Sequence, residues 1–312
     1  METFRVLSPG PCTTIQDRGR FGFQHMGVPV SGALDPFSHA VANHLVGNDP
    51  DCATLEITFF GPIFEVLETT DIAVAGAAMT LTVNGAQAPL WSTIRVLKGD
   101  RLNFGQAASG CRAYIAVAGG FDVPVVMGSR ATYVSGAIGG VKGRPLEAGD
   151  LLARGRGRLL AKPRRLPWHP LYGSEIYLRA VPGPQDDCFT TSRHTFFSAA
   201  FTVSDKANRM GYRLQGPSLD RDPAAPKSII SEPSVHGNVQ VPPDGQPIIL
   251  MVEQTIGGYT KIATVVTADL FKIAQARPGD RLYFAPVTLD QAHRLYREWC
   301  QYLSLAREAL ER

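Results

Sequence analysis

At 312 residues the chain exceeds one average domain, since domains run to about 100–200 residues, and two lobes are the starting expectation. Hydrophobic residues make up 44% and charged residues 19%, a balance that suits packed cores and excludes a disordered chain. The net charge is only +3, and no helix-turn-helix, zinc-finger or aromatic-basic motif accompanies it, which excludes nucleic acid as an expected partner.

In chain order, the start has charge and proline where a signal peptide needs an apolar run of about 7–15 residues. A helix is predicted from Asp35 as N-cap, with Pro36 in its first position, through Phe37, Ala40, Val41 and Leu45 to a stop at Gly47. Short β-branched runs follow at Leu55–Phe60, Ile72–Ala75, Thr80–Val83 and Tyr114–Val117. The longest apolar stretch, Ile72 to Val83, includes Thr80 and Thr82 and falls short of the roughly 20 residues that span a bilayer. The stretch from Arg154 to Pro170 carries Arg154, Arg156, Arg158, Lys162, Arg164 and Arg165 among glycines and prolines, and reads as a solvated linker. Beyond it come a short helical piece near Arg193–Ala200, strands at Ile248–Val252 and Ile262–Val266, and another helical piece at Ala268–Ala274. A last helix begins at Thr288, whose spacing to Gln291 fits a capping box, and buries Ala292, Leu295, Trp299, Leu303, Ala306 and Leu310. Many short strands punctuated by 31 glycines and 23 prolines predict a mainly β barrel or sandwich with few helices.

An internal repeat points to two related lobes. Val6-Leu7-Ser8-Pro9-Gly10-Pro11 returns shortened as Val181-Pro182-Gly183-Pro184, and Gly61-Pro62 returns as Gly216-Pro217. Lys98-Gly99-Asp100-Arg101-Leu102-Asn103-Phe104 returns as Pro278-Gly279-Asp280-Arg281-Leu282-Tyr283-Phe284. The boundary then falls near Pro163–Gly173, with a first lobe at 1–166 containing a Gly-rich insertion and a second at 174–312 ending in the last helix.

The cysteines, Cys12, Cys52, Cys111, Cys188 and Cys300, are odd in number and never form a C-x-x-C pair, which favours reduced thiols and a cytoplasmic protein. The histidines are scattered, His39 and His44 standing five apart, so no metal site is expected. The G-x-S-x-G, H-E-x-x-H, G-x-G-x-x-G and G-x-x-x-x-G-K-[ST] signatures are all missing, and with them the main support for hydrolase-elbow, zinc-protease, dinucleotide and phosphate-loop readings. No Met-Lys-Met biotinylation motif is present either.

Polar, glycine-rich chemistry gathers in three segments. In the first, Gln16, Asp17 and Arg20 offer an amide, an acceptor and a bidentate donor within one turn, enough to grip a carboxylate or a planar amide. A pairing of Asp17 with Arg20, or a turn cap, is the structural alternative. The second segment is Gly128-Ser129-Arg130-Ala131-Thr132-Tyr133 with Gly139-Gly140. The third runs from Ser231-Glu232 through Gln240-Val241-Pro242 to Gln254-Thr255-Ile256-Gly257-Gly258-Tyr259-Thr260-Lys261, where Gly257 and Gly258 let backbone N–H groups approach an anion.

These segments together resemble the biotin-dependent carboxyltransferase, or allophanate hydrolase subunit 2, family. The motifs are Thr13-Thr14-Ile15-Gln16-Asp17 with Gly19-Arg20, Gly27 to Pro36, Asn43 to Gly47, Leu55-Glu56-Ile57-Thr58, the Gly128 to Tyr133 run, Arg209-Met210-Gly211-Tyr212-Arg213-Leu214, and Gln254 to Tyr259. That family includes the C subunit of the bacterial ATP-dependent 5-oxoprolinase, the carboxyltransferase half of urea carboxylase, and an antagonist of a histidine-kinase inhibitor. The resemblance implies two cyclophilin-like β-barrel lobes. It implies an enzyme subunit that cleaves 5-oxo-L-proline to L-glutamate, or else carboxyl transfer to urea or a related amide, or a regulatory binding role. It implies partners from the families of allophanate hydrolase subunit 1 (the B subunit of 5-oxoprolinase) and of the 5-oxoprolinase A subunit, and ATP with Mg used by the assembled complex. Biotin enters only as a carboxylated co-substrate carried by another protein. Catalytic roles fall on Arg20, Lys261 and Asp17, and substrate-binding roles on Gln16, Ser129, Arg130, Gln254, Thr255, Gly257, Gly258 and Tyr259. If all serve one site, Gln16, Arg20, Ser129 and Arg130 line the same cleft as Gln254, Gly258 and Lys261. Two departures flank the site loops: Thr260 where proline is expected, and Val235-His236 where a small residue with proline is expected before Gly237.

Overall fold

The structure is a computed structural model that describes residues 2–226 and 228–311. The chain divides into two compact units, one of Met1–Phe21, Ser31–Tyr172 and Leu303–Arg312, the other of Gly22–Val30 and Gly173–Tyr302. The division after Tyr172 falls within the expected linker region, but residues 22–30 and 303–312 each group with the unit opposite to the expected one.

The first unit carries strands β1 (Glu2–Ser8), β2 (Thr13–Gln16), β3 (Thr54–Thr58), β4 (Ile63–Val66), β5 (Thr70–Val83), β6 (Ala86–Gln87), β7 (Thr93–Val96), β8 (Arg101–Val117) and β9 (Leu151–Ala153). They form one nine-stranded sheet ordered β2-β3-β8-β4-β1-β9, with β5 branching to β6, β7 and β8. Strand alternation explains the unbroken apolar runs. Ile72 and Val74 of β5, with Ala113, Ile115 and Val117 of β8, turn into the main core beside Phe4, Phe64 and Phe104. Ala73, Ala75, Tyr114 and Ala116 face the other way, toward Phe37, Val41 and Leu45 of helix α1 (Pro36–Leu45). Three alanines on that face leave room for the helix. Its start is capped as expected, Asp35 accepting from the Ser38 N–H at 3.0 Å, and Gly47 ends it with φ of 76°.

Two runs expected as separate strands, Ile72–Ala75 and Thr80–Val83, are one strand whose register against β8 shifts between Gly76 and Leu81. Gly76 makes the bulge possible: its φ is 112°, and a Cβ there would stand 2.4 Å from the Arg112 carbonyl oxygen. The basic stretch is not a solvated linker through its length. Arg154 pairs with Glu68 at 3.1 Å, the Leu160 N–H donates to Asp71 at 2.7 Å, and the Arg164 guanidinium donates to the His44 carbonyl at 2.6 Å. It is a strap fastened along the first unit, with Arg156, Arg158 and Lys162 left in water.

The second unit carries β10 (Glu175–Pro182), β11 (Ala200–Val203), β12 (Gly211–Gln215), β13 (Glu232–Pro233), β14 (Asn238–Gln240), β15 (Ile248–Leu250), β16 (Ile256–Gly257), β17 (Lys261–Val265) and β18 (Arg281–Pro286). A closed barrel runs β10-β17-β14-β15-β12-β11-β18, and β13 pairs with β16 as a separate two-stranded ribbon. The fold is thus mainly β, with closure seen in the second unit and a branched sheet in the first. Helices α2 (Ser192–Ser198) and α3 (Leu270–Ala274) fall at the expected places, and the α2 residue Phe196 stacks on Phe284 with centroids 4.3 Å apart.

The last helix, α4 (Leu289–Glu311), starts with the expected capping box: the Thr288 N–H donates to Gln291 Oε1 at 2.7 Å, and the Gln291 N–H to Thr288 Oγ1 at 3.2 Å. Of its expected buried face, Ala306 and Leu310 are fully buried, in the first unit's helix-side cluster. Among the described residues no helix is long and apolar enough to cross a membrane. Thr288→Ala is expected to cost about 1 kcal/mol, read as faster amide exchange over the first turn of α4 with the barrel amides unchanged.

The repeat has a physical basis in one turn used three times. The Gly99 N–H donates to Val66 O, the Val66 N–H to Asp100 O, and the Leu97 N–H to the Asp100 carboxylate at 2.7 Å. Gly279, Val203, Asp280 and Arg277 repeat all three contacts, the last at 2.8 Å. The third copy, missed in the sequence, uses Gly149, Val6, Asp150 and Glu147, again with a 2.8 Å cap. The glycines have φ of 92°, 93° and 91°, a conformation that only glycine adopts freely.

Candidate functional site

In the first unit the expected residues meet in one hydrogen-bonded group. Strand β2 ends at Gln16, and the chain then turns at Gly19 so that Asp17 and Arg20 both face the loop from Val126 to Thr132. Asp17 Oδ1 accepts from the Gly19 N–H at 2.8 Å and the Ser129 hydroxyl at 2.7 Å, while Oδ2 accepts from the Arg130 N–H at 2.5 Å. The Arg20 guanidinium, in a residue 1% exposed, donates to the Val126 carbonyl at 3.0 Å and the Ala131 carbonyl at 2.8 Å. Of the two structural alternatives from the sequence, the turn cap holds: Asp17 caps the turn at Gly19 and the loop at Arg130 rather than pairing directly with Arg20. Burial lowers the Arg20 pKa, with the Asp17 charge opposing it.

Two atoms in this group are left over. Gln16 Nε2 donates to Thr14 Oγ1 and the Thr132 carbonyl, but Gln16 Oε1 is buried without a partner, and so is Arg20 Nη1. Buried polar atoms in folded proteins are nearly always satisfied, so a buried acceptor and a buried donor on side chains that both bind the 126–132 loop call for an explanation. Arg130 itself points away, to the Val123 carbonyl at 3.1 Å and toward Asp122 at 3.6 Å.

Close backbone approach holds the group. A Cβ on Gly32 would stand 2.8 Å from the Gly19 Cα, and one on Gly139 2.1 Å from the Ala131 carbonyl oxygen and 2.8 Å from Arg20 Nη2. Glycine is needed at both for packing as well as for φ. Behind the group, Glu56 accepts from the Leu34 N–H at 3.0 Å and the Tyr114 hydroxyl at 2.7 Å, and that hydroxyl accepts from the Asp35 N–H at 2.8 Å. Burial, with Glu56 and Asp35 adding to it, raises the Tyr114 pKa well above its ordinary value, so Tyr114 stays a neutral donor. His39, buried against Thr54 at 2.9 Å, is pushed down to about 4 by burial and is neutral at physiological pH.

In the second unit, Lys261 is 2% exposed and its ammonium is paired with Glu232. The Lys261 N–H donates to Gln185 Oε1 at 3.0 Å. Gly257 lies opposite Glu232 in the β13–β16 ribbon, and Gly258 O accepts from the Ile229 N–H at 2.9 Å. Gln254 Nε2 donates to the Ile256 carbonyl at 2.5 Å, and Tyr259 is exposed. Gln24 binds the ribbon's flanks, donating to Ser234 O at 2.8 Å and Thr255 O at 2.5 Å, which is why residues 22–30 belong to this unit. Of the departing residues, Thr260 is fully buried with its hydroxyl unpartnered. His236 is pushed down to about 4 by burial and then by Arg209. Sequence reasoning missed Gln24, Gln185 and the cross-strand placement of Gln240 beside Lys261; the register between β14 and β17 carries that signal and is not local.

Comparison with known proteins bears on the whole chain. The profile of the carboxyltransferase domain, subdomain A and B, matches residues 26–286. The chain is 38% identical over 291 residues to the C subunit of 5-oxoprolinase from Escherichia coli (strain K12), covering 92% of each. It is 34% identical over 308 residues to the C subunit of 5-oxoprolinase from Haemophilus influenzae, covering 98% of each. The crystal structure of the K. lactis urea amidolyase matches with a TM-score of 0.92 at 32% identity, over 98% of this chain and 20% of that one.

Proposed function

Since the chain belongs to the family of the carboxyltransferase domain, subdomain A and B, we propose that it is the C subunit of an ATP-dependent 5-oxoprolinase that opens 5-oxo-L-proline to L-glutamate. End-to-end similarity to relatives of that name supports the reading. The observation that carries it is the pair of unpartnered buried atoms, Gln16 Oε1 and Arg20 Nη1. A lactam presents an N–H donor beside a C=O acceptor, the complement of that pair. Arg20 would stabilise negative charge developing on the carbonyl oxygen as the ring C–N bond gives way to water, and a donor in place beforehand needs no reorganisation. Asp17, holding Ser129 and the Arg130 backbone, is a positioning residue.

The assembled complex would include homologues of allophanate hydrolase subunit 1 (the B subunit of 5-oxoprolinase) and of the 5-oxoprolinase A subunit, and would consume ATP with Mg. Gly257 and Gly258 form no phosphate-cradling turn, because Gly257 is paired in β16 and Gln240 fills the space where its Cβ would stand, so no ATP step is assigned to this chain. Biotin would enter only as a carboxylated co-substrate on another protein, in a carboxyl-transfer variant favoured by the likeness to urea amidolyase.

Arg20→Lys in the assembled complex keeps the charge and removes the forked donor. ATP-dependent glutamate release is expected to fall about 100-fold, with the complex still eluting as one species and the melting temperature of the variant lowered only by the loss of a donor to the Val126 or Ala131 carbonyl. Unchanged turnover would mean that the Arg20 guanidinium takes no part in the reaction.

A further inference from the structure

A second cluster, in the second unit, has unspent recognition capacity of its own. Gln240 lies opposite Lys261 across β14 and β17, is 4% exposed, and its amide nitrogen has no hydrogen-bond partner. Gly257 brings its backbone against that amide: a Cβ there would stand 2.3 Å from Gln240 Nε2. A buried ammonium and an idle buried donor are therefore covered by the β13–β16 ribbon, whose strands are two residues each. The carboxylate paired with the ammonium comes from that ribbon. It belongs to Glu232, whose side chain is 44% exposed and can swing into water.

We propose that this cluster is a carboxylate-binding site, in which Lys261 Nζ and Gln240 Nε2 grip a ligand carboxylate and Glu232 pairs with the ammonium alone until the ligand displaces it. A purely structural ion pair leaves the Gln240 donor unexplained, since a buried amide is ordinarily satisfied. Exchange of one planar monoanion for another keeps the buried charge compensated throughout, whereas an empty site would strand the ammonium. A phosphate dianion is a poorer match, because Glu232 vacates room and charge for one carboxylate.

The choice of probe rests on the lactam reading: 5-oxoproline carries a carboxylate, and 2-pyrrolidinone is the same ring without it. In calorimetric titrations of the full chain, 2-pyrrolidinone is expected to bind at least roughly tenfold more weakly than 5-oxoproline. Glu232→Gln, which removes the competing anion, is expected to tighten 5-oxoproline roughly fivefold, and Gln240→Leu to weaken it about tenfold. Because Glu232→Gln leaves the ammonium unpaired and can lower stability, Gln240→Leu carries the test with the ion pair intact. Propionate separates this site from the lactam reading. If Glu232→Gln tightens propionate and 5-oxoproline equally, with no preference for the ring, the carboxylate site stands and the lactam assignment falls. Equal binding of 2-pyrrolidinone and 5-oxoproline, unchanged carboxylate affinity in both variants, or no carboxylate binding to any of the three proteins overturns the site.

Discussion

Asp17→Ala is expected to destabilise the first unit by at least about 4.5 kcal/mol, because the carboxylate is the acceptor for three groups at once, the Gly19 and Arg130 N–H groups and the Ser129 hydroxyl. A hydrogen bond to a charged acceptor contributes about 1.5–3 kcal/mol, and removing the acceptor strands buried donors as well. The lower end of that sum already corresponds to a melting midpoint roughly 10 °C lower for a unit of this size. Asp17→Asn keeps one acceptor oxygen and should fall between wild type and alanine. Amide exchange should localise the damage, with protection lost over residues 126–132 and retained in the barrel of the second unit. A loss under about 1 kcal/mol would show that the loop is held by the Arg20 contacts to Val126 and Ala131 alone.

The same loop shows where reading a sequence stops. Both long helix starts were legible because their signals are local: Asp35 and Thr288 each cap a turn three residues away, a distance fixed by helix geometry. The mainly β character was legible from turn residues and β-branched runs. Closure of the second unit came only through the family resemblance, since local signals left barrel and sandwich both open and closure depends on which strands pair, including the parallel pairing of β10 with β18 across about a hundred residues. Gly76 hid a single long strand by looking like a break, while serving as its bulge. The basic stretch misled for a related reason. Its composition is that of a linker, but Arg154, Leu160 and Arg164 find partners at Glu68, Asp71 and His44, far off in the chain.

For the candidate site, motif resemblance singled out Gln16, Asp17, Arg20, Ser129 and Arg130, and the fold brings the first four into one bonded group with the Arg130 backbone. Their division of labour was beyond a sequence. Depth decides it: Asp17 spends its carboxylate on the loop, while Arg20 and Gln16 each keep one atom idle. Nothing in the spacing of Gln240, Gly257 and Lys261 indicates that a missing Cβ admits the glutamine amide.

The central claim is tested most directly by omission. The purified chain, combined with homologues of the A and B subunits of 5-oxoprolinase, is mixed with 5-oxo-L-proline, ATP and Mg, and glutamate release is followed against the same mixture lacking this chain. The expected result is sustained, ATP-dependent release in the full mixture, a fall to background when the chain is left out, and recovery when it is added back. Full turnover without it would contradict its assignment to the enzyme.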